Sequence, residues 1–194
     1  MPDVLITPGE FLASITAKSE EGRTLALLTG DSYTGKTRWC FDLLRQARLL
    51  GWQVTGVLSP AVFQNGQKVG IDLMNVASGE RRRLAVRRDD MSPDFQSPPG
   101  FPTLNWRLDP GVLAWGNQIL VKMDAGALLL IDELGPLELL ENYGLTAGVQ
   151  RIDEGGYQTA CVVVRPGLLA AAQSRWPAAR VIWPANLPPE GCQS

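Results

Sequence analysis

Residues 24–37 have the sequence TLALLTGDSYTGKT, in which an apolar run leads directly into a glycine-rich loop. The second half matches the pattern G-x-x-x-x-G-K-[ST], whose backbone amides and lysine bind phosphate groups. An uninterrupted apolar run is typical of a strand that is buried on both faces of a parallel sheet. We therefore predict a phosphate-binding loop at the carboxyl end of a central strand.

An amphipathic helix is predicted directly after this loop. Trp39, Leu43, Ala47 and Leu50 recur at intervals of four, four and three residues, and Gly51 follows where a left-handed helix cap is expected. The amino end of a helix carries partial positive charge and free amides, so it favours phosphate. The residues predicted to bind the nucleotide are Gly30, Asp31, Ser32, Tyr33, Thr34, Gly35, Lys36, Thr37 and Arg38.

A second predicted strand, with the sequence LLLIDELG at residues 128–135, ends in two adjacent carboxylates. Ligands of open α/β sheets bind at the carboxyl ends of the strands. We predict that Asp132 and the hydroxyl of Thr37 hold Mg²⁺, and that Lys36 reaches the β- and γ-phosphates. Glu133 is the predicted catalytic base, which orients and deprotonates the attacking water. The alternative is that both acids only cap the helix that begins near residue 136.

Two further features bear on the chemistry of this site. Asp132 and Gly135 also satisfy the D-x-x-G pattern of GTP switches, but residues 121–124, VKMD, lack the asparagine of a guanine-binding N-K-x-D and precede the acidic strand. The base preference is therefore left open.

Arg165 follows the apolar run 161–164 and emerges near Glu133 if that strand is parallel. It is either a charge-stabilising arginine for the γ-phosphate or a surface residue.

The rest of the chain predicts an α/β fold in a single domain, residues 1–194. Strands and helices alternate, which indicates a mostly parallel central sheet. Residues 59–88 form a predicted inserted antiparallel β-meander, with Asn65-Gly66 as a two-residue hairpin turn. We expect residues 1–22 to be a peripheral leader or a peripheral helix, and residues 89–104 to be a Pro-rich loop.

Composition restricts the possible functions of the 194 residues. The chain has no histidine, so a catalytic base must be a carboxylate or another group, and a carboxylate such as Glu133 is the plausible choice. Three cysteines stand far apart, outside any metal-binding spacing, and indicate reduced thiols. The net charge of −2 and the lack of a long apolar run argue against a membrane and favour a cytoplasmic protein. The oligomeric state is left open.

An arginine-rich run is the exception to this weak overall charge. Five arginines lie within residues 81–88. A solvated edge strand is the favoured interpretation, because charge on an edge discourages strand pairing. Contact with nucleic acid through Arg81–Arg88 is the less favoured alternative.

Several motifs together resemble one family, the small stand-alone P-loop nucleoside-triphosphatases first described in thermophiles. The shared motifs are the phosphate loop, GVLSP at 56–60, VGIDL at 69–73, SGE at 78–80 with Leu84-Ala85, and IDELGPLEL at 131–139. The resemblance implies a three-layer RecA-like P-loop fold and magnesium-dependent hydrolysis of nucleoside triphosphates. It also implies Lys36 and Thr37 in the phosphate site and Asp132 with Glu133 as the acidic pair.

Three functions fit these predictions. The first is Mg²⁺-dependent hydrolysis of a nucleoside triphosphate, with the base unspecified. The second is a small-molecule or nucleotide kinase that uses the same loop, and the third is a nucleotide-gated module that binds RNA or protein.

Overall fold

The computed structural model describes residues 4–16, 22–87, 106–122, 124 and 126–185. The strands are β1 (Leu5–Ile6), β2 (Thr24–Leu28), β3 (Val54–Leu58), β4 (Ala61–Gln64), β5 (Gln67–Asn75), β6 (Arg81–Arg87), β7 (Trp106–Leu108), β8 (Leu128–Leu134), β9 (Thr159–Val164) and β10 (Arg180–Pro184). The helices are α1 (Pro8–Thr16), α2 (Lys36–Leu49), α3 (Pro110–Val121), α4 (Pro136–Leu140), α5 (Thr146–Asp153) and α6 (Leu169–Arg175). The predicted Pro-rich loop, residues 89–104, lies outside the described residues.

The ten strands of the described residues belong to one mixed sheet with the order β1-β10-β2-β9-β8-β3-β5-β6-β7, and β4 pairs with β5. The strands from β1 to β3 in this order are parallel, whereas β4, β5, β6 and β7 pair antiparallel. The predicted α/β fold, with a mostly parallel sheet and an antiparallel meander, is confirmed.

Helices cover both faces of the sheet and make three layers. Leu128 and Leu130 of β8 pack in the cluster that contains α1 and α2, whereas Leu129 and Ile131 pack in the cluster that contains α3, α5 and α6. This alternation is the two-residue period of a strand buried on both faces. The phosphate loop connects the carboxyl end of β2 to the amino end of α2, so it lies at the carboxyl edge of the parallel strands.

The amino-terminal segment differs from the expected peripheral leader. Residues 4–16 contain β1, which extends the parallel sheet beside β10, and α1, which packs on α2. Phe11 is fully buried against Trp39, with ring centroids 5.7 Å apart, and the indole Nε1 of Trp39 donates to the carbonyl of Ile6 at 2.9 Å. The buried residues of α1, namely Pro8, Phe11, Leu12 and Ile15, recur at the helical spacing i, i+3, i+4 and i+7. This spacing covers only two turns, and it shows which face is buried but not that the face packs on α2.

Local turn and cap signals agree with the structure. Asn65 and Gly66 have φ values of 51° and 75°, as a type I′ hairpin requires. Asp109 caps α3 by accepting from the amide of Val112 at 3.0 Å, and Gly51 ends the α2 region with φ at 78°. Each signal depends on residues close in sequence, which explains why it could be recognised.

The arginine-rich strand is not the expected sheet edge, because β6 lies between β5 and β7. Arg81 lies over the ring of Phe41, and Arg82 lies over the ring of Trp115. Arg83 forms an ion pair with Asp72 at 2.6 Å. Alternation splits these arginines between the two faces, where each contacts a neighbour in the protein. Arg88 lies outside the described residues.

Within the described residues, every helix is too short or too polar to cross a membrane.

Candidate active site

The predicted site residues meet because three neighbouring strands end at one edge. Strands β2, β9 and β8 are adjacent and parallel. The phosphate loop follows β2, Arg165 follows β9, and Asp132 and Glu133 lie in the last part of β8. Since β9 lies between the other two strands, Arg165 stands between the loop and the acids.

The phosphate loop has the backbone freedom that its sequence predicts. Gly30, Tyr33 and Gly35 have positive φ values of 153°, 65° and 81°. Gly35 is the residue from which α2 begins, and its left-handed conformation turns the chain into the helix. The tip of the loop, Asp31–Thr34, is exposed to solvent, and Tyr33 is 90% exposed. The loop is therefore open to a ligand from solvent.

Lys36 folds back over the loop. Its Nζ donates to the carbonyl oxygens of Gly30 at 2.7 Å and Asp31 at 2.6 Å. Partial burial lowers the pKa of Lys36, and the nearby carboxylates of Glu133 and Asp132 oppose this effect. The ammonium is thus half-buried at the loop, where phosphate oxygens can compete for its donors.

Asp132 lies fully inside the site. Its carboxylate accepts hydrogen bonds from the hydroxyl of Thr37 and from the amide of Ser59, the latter at 3.4 Å. Its pKa is raised from 3.8 to about 6: burial is the largest cause, the charge of Glu133 adds to it, and the hydrogen bonds from Thr37 and Ser59 oppose it. A buried carboxylate with so few donors favours a cation as an additional partner.

These oxygen donors fit Mg²⁺. In the part of the chain that the structure describes, no cluster of three or more Cys, Asp or Glu side chains could enclose a metal ion. Magnesium in nucleotide sites is usually held by one or two protein oxygens together with substrate phosphates and water. The paired hydroxyl of Thr37 and carboxylate of Asp132 match that requirement.

Both acids lie within a β-bulge of β8. Ile131 pairs with Val162 and Leu134 pairs with Val164, so β8 contains one residue more than β9 at this point. Leu134 therefore packs in the same core cluster as Ile131, although three positions separate them. Bulges next to active sites redirect side chains. Here Glu133 is half-buried and forms an ion pair with the more exposed guanidinium of Arg165.

The helix-cap alternative for the two acids can be compared with the contacts around α4. It is the carboxylate of Glu138 that accepts from the amides of Gly135 at 2.8 Å and Leu145 at 3.0 Å. Burial raises the pKa of Glu138, and these amides oppose the shift. Asp132 and Glu133 instead face Thr37 and Arg165.

Some neighbours of the site had no assigned role in the sequence analysis. Ser59, whose amide contacts Asp132, directly follows β3, the strand adjacent to β8. The sequence showed the GVLSP motif that contains Ser59, but not the role of this residue. Trp183 and Pro184, at the end of β10, lie against Gly30. Their position depends on strand order, for which the sequence held no local signal. Arg38 is half-buried in the first turn of α2.

The phosphate loop lies between a buried strand and a helix, and the acidic strand is two positions away in the sheet. This arrangement defines the class of the protein as a P-loop nucleoside-triphosphatase. Comparison with known families leads to the same class. A family model described as NTPase matches residues 26–165, and the chain belongs to that family.

Individual relatives are named nucleoside-triphosphatases. The nucleoside-triphosphatase THEP1 of Sulfolobus acidocaldarius is 29% identical over 138 residues, which cover 71% of this chain and 75% of the relative. THEP1 of Ignicoccus hospitalis is 31% identical over 112 residues, covering 58% of this chain and 59% of the relative.

Two solved structures are similar in fold. A human cancer-related nucleoside triphosphatase has a TM-score of 0.59 at 22% identity, over 85% of this chain and 89% of its own. THEP1 from Aquifex aeolicus has a TM-score of 0.58 at 16% identity, over 84% of this chain and 90% of its own. Both support the fold described above.

Proposed function

We propose that this protein hydrolyses nucleoside triphosphates to diphosphates and phosphate in the presence of Mg²⁺, in the cytoplasm. The observation that carries the proposal is the convergence of Lys36, the Thr37–Asp132 hydrogen bond and the Glu133–Arg165 ion pair at one sheet edge. Names of relatives that specify nucleoside-triphosphatase support the same reaction.

Each residue has a distinct role in this reaction. The amides of residues 30–38 and the ammonium of Lys36 bind the phosphates and neutralise their charge. Thr37 and Asp132 would hold Mg²⁺, which would supply charge neutralisation for the triphosphate. Glu133 accepts a proton from the attacking water, and Arg165 stabilises negative charge near the γ-phosphate.

Glu133 is suited to act as the base because its side chain is more accessible than that of Asp132. Asp132 faces Thr37 inside the site, whereas Glu133 is partly accessible and can contact water. The two adjacent carboxylates therefore have different environments and can perform different tasks.

The experiment is phosphate release from ATP, GTP, CTP and UTP with Mg²⁺, comparing wild type with Lys36→Ala and Glu133→Gln. We expect Lys36→Ala to lose binding and turnover, and Glu133→Gln to keep nucleotide binding but lose turnover. Equal release by wild type and Lys36→Ala would refute hydrolysis at this loop. A wild-type rate for Glu133→Gln would refute the assigned base, and phosphate appearing on an added metabolite would indicate a kinase instead.

A further inference from the structure

The bulge of β8 leaves the proposed base without regular strand pairing. The pairing of β8 with β9 is interrupted between Ile131 and Leu134, the span that contains Asp132 and Glu133, and the pairing with β3 ends at Ile131. Among the described residues, Glu133 thus has no register partner on either neighbouring strand. Because a bulge locally disrupts the ladder of hydrogen bonds, the position of Glu133 depends on how the chain is fixed on each side of the bulge.

The carboxylate of Glu138 fixes the chain just beyond the bulge. Its Oε2 accepts from the amide of Gly135 at 2.8 Å, and its Oε1 accepts from the amide of Leu145 at 3.0 Å. Gly135 is two residues after Glu133, and Leu145 directly precedes α5. Hydrogen bonds to an ionised acceptor are roughly twice as strong as neutral ones. One side chain therefore ties the exit of the bulge to the start of α5.

The turn before α5 leaves room for this carboxylate. Gly144 has φ at 84°, a conformation that favours glycine, and a Cβ atom added there would collide with Oε1 of Glu138. The next residue, Leu145, is buried in the core cluster below β8. The chain therefore gives up a side chain at Gly144 and places the carboxylate of Glu138 in the space.

Asn117 of α3 holds the same turn from the neighbouring helix. Its Nδ2 donates to the carbonyl of Gly144 at 2.8 Å and to that of Leu113 at 3.1 Å, and its Oδ1 accepts from the amide of Ala147 at 2.9 Å. These contacts fix the turn and the first residues of α5 to α3. The element to which Glu138 anchors the bulge is therefore itself held in place.

We infer that Glu138 is a positioning residue for hydrolysis: by holding Gly135 it fixes the exit of the bulge, and thereby the direction of the Glu133 carboxylate toward the attacking water. Asn117 supports the turn to which Glu138 is anchored. The inference rests on the proposed role of Glu133 as the base. Because a displacement of about 1 Å in a catalytic group can lower a rate about a hundred-fold, Glu138 affects turnover without touching the substrate.

The test is Glu138→Gln, made both in wild type and in the Glu133→Gln variant. Glutamine keeps the size of the side chain but places an N–H₂ donor opposite one of the two backbone donors. In wild type, kcat should fall about ten-fold to a hundred-fold, while KM and ADP affinity stay within about two-fold. In the Glu133→Gln variant, the same change should leave the residual single-turnover rate unchanged, because no base remains to be misplaced.

The matched control is Asp153→Asn, which also converts a carboxylate to an amide. Asp153 accepts from Nε1 of Trp176 at 2.8 Å and forms an ion pair with Arg175, so it ties the end of α5 to α6, away from the bulge. This variant should lose thermal stability but keep the wild-type kcat below its unfolding temperature. A merely structural role for Glu138 would give the same result in Glu138→Gln.

Asn117→Ala is a second variant, which loosens the same turn from α3 and keeps the inference testable if Glu138→Gln does not fold. It should lower kcat by a smaller factor, again only when Glu133 is present. A wild-type kcat in both variants, or the same fold loss with and without Glu133, would overturn the positioning role. A wild-type rate for Glu133→Gln alone would instead show that the proposed base is wrong, so the two failures are distinguishable.

Discussion

The guanidinium of Arg165 forms an ion pair with the carboxylate of Glu133 across the ends of β9 and β8. The pair joins the proposed base to a cation that also stands next to the phosphate-loop strand. Because the side chain of Arg165 is 62% accessible, the ion pair is solvent-screened and adds little to the stability of the fold. We therefore expect the ion pair to affect the reaction more than the stability of the fold.

Arg165→Ala is expected to lower kcat by about a hundred-fold or more, because the γ-phosphate loses a stabilising charge. Diphosphate binding should change little, since Arg165 lies on the side of the acids. Steady-state hydrolysis and ADP binding measure the two effects. Arg175→Ala, which removes an ion pair with Asp153, is the control and should retain wild-type kcat. An unchanged kcat for Arg165→Ala would mean that Arg165 pairs with Glu133 but does not stabilise charge at the γ-phosphate.

The raised pKa of Asp132, about 6 against 3.8 in the unfolded chain, predicts how stability depends on pH. Between these values the folded protein binds more protons than the unfolded chain, so the free energy of unfolding falls as pH rises from about 4 to about 6. The full effect is on the order of 3 kcal/mol. Urea unfolding without Mg²⁺ at several pH values measures it.

Asp132→Asn is the comparison for that measurement. It removes the titrating group, so the decrease in this pH range should shrink and the variant should be more stable than wild type at pH 7 without Mg²⁺. An identical pH profile in the variant would show that Asp132 does not titrate in this way.

Gly56→Ala is predicted to destabilise the protein severely. Gly56 has φ at 115°, and an added Cβ would lie 1.9 Å from the carbonyl oxygen of Leu130 on the neighbouring strand. Since backbone must move, we expect a loss of about 3 kcal/mol or more in the free energy of unfolding. Gly66→Ala, with φ at 75° and open space around it, should lose about 1 kcal/mol from backbone strain alone. Similar losses for both variants would contradict the proposed steric cause.

Phe11→Ala tests whether the amino-terminal segment belongs to the core. Removal of a fully buried ring should reduce the free energy of unfolding by about 3–5 kcal/mol. Leu5→Ala, at a side chain that is 68% exposed, should change it by less than about 0.5 kcal/mol. Chemical denaturation measures both, and a loss below about 1 kcal/mol for Phe11→Ala would mean that residues 4–16 unfold separately.

Features that depend on short spans of sequence were predicted well. The strand before the loop, the helix after it, the Asn65-Gly66 turn and the Asp109 cap each depend on neighbouring residues. Three features required distant contacts: the packing of Phe11 on Trp39, the interior position of β6, and the contact of Trp183 with Gly30. Periodicity gives the faces of an element but not the identity of its neighbours.

The sequence by itself determined the phosphate loop and the candidate acidic pair, because phosphate and magnesium chemistry require particular residue types at fixed spacing along one continuous segment. Only the tertiary structure decided that β9 separates these segments, that Asp132 contacts Thr37 and Glu133 contacts Arg165, and that Trp183 borders the loop. The physical reason is that strand order and register arise from burial of whole faces across the sheet, which no single segment encodes.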